Sequence, residues 1–289
     1  MAFTSRHPFT TDAYELGYLV GMREDKTLQQ SSWANVAAPV GFLDNDFRDP
    51  DLDRYLERVD RYHPDVAVVG DATTYDEAER YQQAANNIRD IYSEVEPVIV
   101  PKCRDALEAI EQDTVIGWPN GYANIDPLDY SSIRDWRGRR VHILGGSPTD
   151  QYDIVQLLTQ PTLTNDDPAD IIGLDGNGVL KAAYFGEYWT PTGYERADHL
   201  SIRDTVRRSL EEMKEFWEGH GIWPDEEPID RYGPAVKEPD EPIWMDDGGD
   251  PLVSRGDLEA AYIGEYEQGT MAFQSEAAKK YIEFHEGWR

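Results

Sequence analysis

The chain has 289 residues, 39% of them hydrophobic, which suffices to bury a sizeable core and excludes a disordered chain. Its 57 acidic residues against 27 basic ones leave a net charge of −30. Cys103 is the single cysteine, so an internal disulfide and a Cys-rich zinc site are excluded; six histidines without HxxxH or HxH spacing give no metal signature, and no metal or other cofactor is expected.

The acids are spread through every segment, so an acidic interaction tail is the poorer reading of the charge. Such a surface repels itself at low salt and is relieved at molar salt, where the Debye length falls to about 3 Å. The composition therefore fits the salt-rich cytoplasm of a halophile. Negative charge ordinarily argues against a nucleic-acid partner, but here it serves solvation, and a local arginine cluster can still bind phosphate. There is no signal-peptide core and no apolar run of about 18 residues, which predicts a soluble, cytoplasmic protein with no membrane partner.

Residues 1–16 lack a clear period and read as a leader with a short helix near 12–16. A first strand is expected at 17–22 (GYLVGM), and from residue 40 the pattern becomes regular. PVGFLDND (39–46) reads as a strand, followed by a helix with Leu52, Tyr55, Leu56, Val59 and Tyr62 on one face. DVAVVGDA (65–72) is the next strand, with a helix over 74–92 whose Tyr75, Ala78, Ala85, Ile88 and Tyr92 point inward. Strands at 96–102, 114–118, 140–146 and 169–175 follow, the last two ending in HILGG and IIGLDGNG. With 183–189 as the last, eight strands alternate with helices, which predicts a (β/α)8 TIM-like barrel over residues 1–195. A doubly wound open sheet is the alternative, without a GxGxxG or GxxxxGK[ST] motif to support it.

Residues 196–289 read as a C-terminal helical appendage packed on the barrel. It holds an amphipathic helix over 198–221 with Leu200, Val206, Leu210, Met213 and Trp217 inward, an acidic, Pro-rich connector over 222–252, and a helical region from residue 256.

Three strands end in an acid: Asp44, Asp71 and Asp175. Each acid taken alone reads better as a cap for the next helix, but in a barrel the three ends share the catalytic rim, and their conjunction points to catalysis. Trp118 is a rim residue, either packed or a stacking platform. His142, inside a strand, reads as a core histidine with a satisfied N–H and no role. Arg134, Arg137, Arg139 and Arg140, around Trp136, form the single basic cluster, read either as a phosphate-contact patch or as a solvated helix end.

The ordered segments GFLDND, GDATTYDEAERY, GWPNG, HILGGSP and DIIGLDGN, over residues 17–190, resemble the active-site segments of the tRNA-guanine transglycosylase superfamily. Without the zinc cysteines or a recognisable RNA-binding domain, the chain is most similar to the viral and bacterial branch that inserts 7-deazaguanines into DNA. The resemblance implies a DNA-guanine transglycosylase that uses a free base of the preQ0 or preQ1 type. It gives Asp175 the place of the nucleophile that forms a covalent glycosyl intermediate, and Asp44 that of the general acid/base. Asp71 takes the place of the carboxylate that recognises the base. Gly145 and Gly146 would present N–H groups to the base carbonyl, with Trp118, Asn120 and Asn177 lining the site. A flipped nucleotide would stack on Trp118, Tyr122 or Trp189. The family's Asp-Ser-Gly-Gly segment is here Asp44-Asn45-Asp46-Phe47. Competing readings are a tRNA enzyme of the same chemistry, a glycoside hydrolase, and a non-catalytic barrel that binds a partner.

Overall fold

The computed structural model describes residues 1–4, 9–25, 39–120, 125–163 and 166–234. Eight parallel strands close into a barrel in chain order: β1 (Ala2–Thr4), β2 (Leu19–Arg23), β3 (Phe42–Asp44), β4 (Val66–Ala72), β5 (Glu96–Pro101), β6 (Val115–Pro119), β7 (Arg140–Leu144) and β8 (Asp170–Asp175). Closure comes from β1, which pairs with β2 along its length and with β8 through Ala2 opposite Asp175. Helices α1 (Phe9–Glu15), α2 (Leu52–Tyr62), α3 (Tyr75–Ile91), α4 (Arg104–Ala109), α5 (Ile133–Trp136), α6 (Pro148–Thr159), α7 (Gly178–Tyr184), α8 (Ile202–Gly219) and α9 (Pro228–Tyr232), together with a 3-10 turn at Pro127–Asp129, complete the described elements, with β9 (Glu187–Thr190) and β10 (Gly193–Arg196) forming an antiparallel hairpin.

Eight strands were expected and eight are found, but the set is shifted. Residues 2–4, read as leader, form the first strand, and the expected first strand is the second. The segment expected as the eighth, 183–189, instead holds the end of α7 and part of the outer hairpin. A three-residue strand is too short to show a period, and AYFGEYW mixes apolar and polar residues as a strand would.

Inside the barrel, Ala2, Phe42, Val66, Val68, Val98, Val100 and Val115 form one cluster, with Leu19, Leu144 and Ile172 against it. Their neighbours Phe3, Val20, Leu43, Ala67, Ile99, Ile116 and Val141 belong to the larger core under the helices. That is strand alternation with both faces buried. Two register shifts break it, at Val68/Gly70 in β4 and opposite Val141/His142 in β8. Before the first, Val66 and Val68 face the interior; after it, a side chain on Gly70 would meet Tyr81 of α3, so Asp71 faces inward. Before the second, Ile172 faces inward; after it, Leu174 lies in the outer core and Asp175 turns to the interior. Each extra residue thus re-aims one aspartate into the barrel.

On α2, Tyr55 and Val59 are buried with Leu52, Leu56 and Tyr62 packed beside them, as the sequence period requires. On α3, Tyr75 is 47% exposed and does not point inward. Along α8, Val206, Leu210, Met213 and Trp217 are buried against α1, α7 and β9. Arg203 of α8 makes two 2.8 Å bonds to buried Asp12 of α1, and the Tyr18 hydroxyl donates to the Leu210 carbonyl at 2.7 Å. Within the expected irregular connector, residues 228–232 form α9; the helical region expected from 256 lies outside the described residues. Among the described residues, no helix is long and apolar enough to cross a membrane.

With a net charge of −30, the fold is expected to need counterions. Dropping KCl from about 2 M to about 0.1 M should lower the thermal midpoint by about 10 °C or more, which circular dichroism would read. A midpoint indifferent to KCl would contradict the halophilic reading of the charge.

Candidate active site

The C-terminal ends of β3, β4 and β8 bring Asp44, Asp71 and Asp175 to one mouth of the barrel. None of the three caps a helix. Asp51 accepts from the Arg54 N–H to cap α2, Thr74 accepts from Glu77 to cap α3, and α7 starts at Asn177 without a side-chain cap. The capping alternative therefore fails at all three, because the loops are long enough to supply other caps.

Asp44 is partly buried by area, yet its carboxyl is pushed up to about 8. Burial is the largest cause, followed by the negative charges of Asp175 and Asp71, with Arg23 and the Asn45 N–H opposing. Asp71 is also raised, by burial, and is held back by Lys102, whose Nζ lies 3.0 Å from its Oδ2. Arg23 at the end of β2 grips Asp25 through bonds of 2.6 and 2.8 Å, and these bonds raise its pKa further. Asp44, Asp71 and Asp175 thus gather at the mouth with Lys102 and the Asp25-paired Arg23 beside them. At neutral pH this shift favours the protonated form of Asp44.

The β7–α6 turn is built by Gly145 and Gly146, both left-handed at φ 72° and 86°, where a side chain would be strained. A Cβ on Gly146 would also lie 2.1 Å from Asn120 Nδ2. The Gly145 N–H donates to the Asp175 carbonyl at 3.1 Å and so is not directed at a ligand, which corrects its expected role in base binding. Gly146 is exposed, and Asn120 donates through Nδ2 to the Gly145 carbonyl at 3.4 Å, bracing the turn. Asn177 is exposed two residues past Asp175.

Gln151, fully buried on α6, was not singled out from the sequence. Its Nε2 donates to the carbonyls of Gly145 at 2.9 Å and Asp175 at 2.7 Å, tying the ends of β7 and β8 together. Gln151→Leu leaves those buried acceptors short of a donor and should cost about 2 kcal/mol, read as a lower urea midpoint in molar KCl. An unchanged midpoint would mean that the clamp contributes nothing.

Other expected site residues lie elsewhere. Trp118 faces the helical layer, 4% exposed, its ring 4.7 Å from that of Trp136, so it is a packing residue. Trp189 is 2% exposed and lies edge-on to Phe216. Tyr122 lies outside the described residues. Among the described residues, exposed aromatics beyond the strand ends include Phe47, after β3, and Tyr75, at the start of α3.

The arginine cluster is not a phosphate patch. Arg137 is buried and donates to the carbonyls of Leu158 and Asp166 at 2.8 and 3.0 Å. Arg139 is buried and donates to Ile110 and Glu111 at 3.3 and 2.6 Å. Arg140 pairs with Glu96 at 2.6 Å, and Arg134, largely exposed, lies 3.5 Å from Asp166. The last turns of α4 and α6 leave carbonyls without helical partners, and buried guanidinium groups satisfy them. Those contacts sit where β7 begins, at the opposite end of the barrel from Asp175.

His142 is the residue whose surroundings the sequence most concealed. It faces the barrel interior, 1% exposed, stacked on Phe42 at 5.4 Å, with Nε2 3.5 Å from Asp175 Oδ1. Neither ring nitrogen has a hydrogen-bond partner, which corrects the expected satisfied core histidine.

Among the described residues, no group of three or more His, Cys, Asp and Glu is placed to hold a metal ion. A closed (β/α)8 barrel with its acids gathered at the strand C-termini has the layout in which barrel enzymes carry their active sites. Residues 13–218, from within α1 to the last turn of α8, match a family of unknown function (DUF6610), and the chain belongs to that family. No curated protein and no solved structure matches the chain.

Proposed function

We propose that the protein is a base-exchange glycosyltransferase that replaces guanine in DNA with a free 7-deazaguanine of the preQ0 or preQ1 type. The observation that carries this reading is the placing of Asp44 and Asp175 at the ends of β3 and β8, at one mouth, as a candidate proton donor and a candidate nucleophile, with the Asp44 carboxyl pushed up to about 8 by burial and by the charges of Asp175 and Asp71. Retaining glycosyl transfer needs those two roles side by side.

In this mechanism the Asp175 carboxylate attacks C1′ as the C1′–N9 bond breaks, and the bonding pair leaves on guanine, which takes its proton from Asp44. The incoming base then gives its N9 proton to Asp44 and attacks C1′, and the bond to Asp175 breaks. Asp44 and Asp175 both end as they began. Asp71, with one oxygen on Lys102, offers the other to the base's N1–H and amino group. Choice of guanine, and of DNA over tRNA, rests on the sequence resemblance and not on the surface charge.

One observation favours a second reading, hydrolysis of a small glycoside or nucleoside: the arginines expected to hold phosphates are committed to protein carbonyls and carboxylates. A single assay separates the two. Duplex DNA, tRNA and free nucleosides are incubated with the protein and 7-deazaguanine bases in molar KCl, and the products are read by nucleoside mass spectrometry. Incorporation into DNA supports exchange; release of base from nucleosides without incorporation supports hydrolysis. Neither product from folded protein leaves the non-catalytic barrel.

A further inference from the structure

We propose that His142 is the positioning residue of Asp175, donating from Nε2 to Oδ1 so that the other carboxylate oxygen is aimed at the sugar carbon; this rests on the reading of Asp175 as nucleophile. The geometry comes from three observations. His142 Nε2 and Asp175 Oδ1 are 3.5 Å apart, and both are buried atoms without a hydrogen-bond partner. Buried polar groups are rarely left so, and active-site bonds that are long in the free protein commonly close when substrate arrives. Since neither atom has a hydrogen-bond partner, the imidazole is a donor within reach that can fix this oxygen.

The fold makes room for this ring. Phe42 of β3 stacks on one side at an interplanar angle of 27°. Beside it on the neighbouring strand lies Gly173 of β8, where an added Cβ would come within 2.8 Å of His142 Nδ1 and 3.0 Å of Cε1. Gly173 and His142 are brought level by the same register shift that turns Asp175 inward. One irregularity in β8 therefore seats the histidine and aims the carboxylate above it. A histidine kept only for packing would not need its Nε2 directed at the acid.

The test pairs a spectroscopic readout with a kinetic one. In 15N-resolved NMR of the full chain in molar KCl, His142 is expected to carry its proton on Nε2, and Asp175→Asn should shift that nitrogen's resonance. A proton on Nδ1 alone, or a resonance indifferent to Asp175→Asn, overturns the pairing whatever the enzyme's activity. In the exchange assay, His142→Asn, whose amide falls short of the Nε2 position, should lower kcat about 10²-fold with KM changed little, because a misaimed nucleophile loses orientation and not binding. His142→Gln, whose amide reaches that position, should recover most of the loss. Equal loss in both, with both melting as wild type, would make the ring's role structural and contradict the proposal. If wild-type protein shows no exchange, the base-exchange reading fails while the NMR result still decides the pairing.

Discussion

Asp175→Ala is expected to abolish base exchange, by about 10⁴-fold or more, while the barrel stays folded. Loss of a covalent nucleophile removes the route and not merely one contact, so the effect exceeds that of any binding residue. Stability should hardly suffer. The side chain stands at the open mouth, 14% exposed, and its backbone contacts to Gly145 and Gln151 are independent of the carboxylate. Removing it also relieves the repulsion that raises Asp44, so the Asp44 carboxyl should titrate at lower pH in the variant. Exchange that survives Asp175→Ala would remove the nucleophile from the account.

Asp44→Asn is expected to lower kcat by about 10²–10⁴-fold, the usual range for a general acid. The wild-type rate should fall as pH rises past about 8, where Asp44 gives up its proton, and the variant should lack that limb. The stability signature runs in the same direction. Folding raises this carboxyl from 3.8 to about 8, so the native state binds more protons than the unfolded chain across that window. Stability contributed through Asp44 is therefore full below about 4 and declines toward pH 8, with an upper bound on the order of 5 kcal/mol. Denaturation midpoints measured across this range should slope downward in wild type and flatten in Asp44→Asn. An identical alkaline limb in both proteins would assign the acid role elsewhere.

Much of this arrangement was legible in the chain. Apolar runs that stop at an acid marked β3, β4 and β8 and placed Asp44, Asp71 and Asp175 at one rim, because a parallel strand buried on both faces ends abruptly at the mouth. The count of eight came out with its frame displaced, since Ala2–Thr4 is too short for periodicity to register and 183–189 mimics a strand. Neither β-bulge could be read. Strict alternation from Val66 puts Asp71 on the helix side, and alternation from Ile172 does the same to Asp175; only the register shifts turn them inward. His142 was hidden for a related reason. A histidine between Val141 and Ile143 looks like core, and its meaning lies in Gly173 and Asp175 on the neighbouring strand. The arginine cluster misled because a run of arginines looks the same whether it meets phosphate or the carbonyls that end two helices.

The most direct measurement is denaturing mass spectrometry of protein quenched during turnover on duplex DNA in molar KCl, with peptide mapping of any glycosyl adduct. The expected result is a deoxyribosyl-linked adduct on the peptide carrying Asp175, absent in Asp175→Ala and undiminished in occupancy by substitutions of the distal Arg134. An adduct mapped to another carboxylate, or base exchange in Asp175→Ala, would contradict the mechanism.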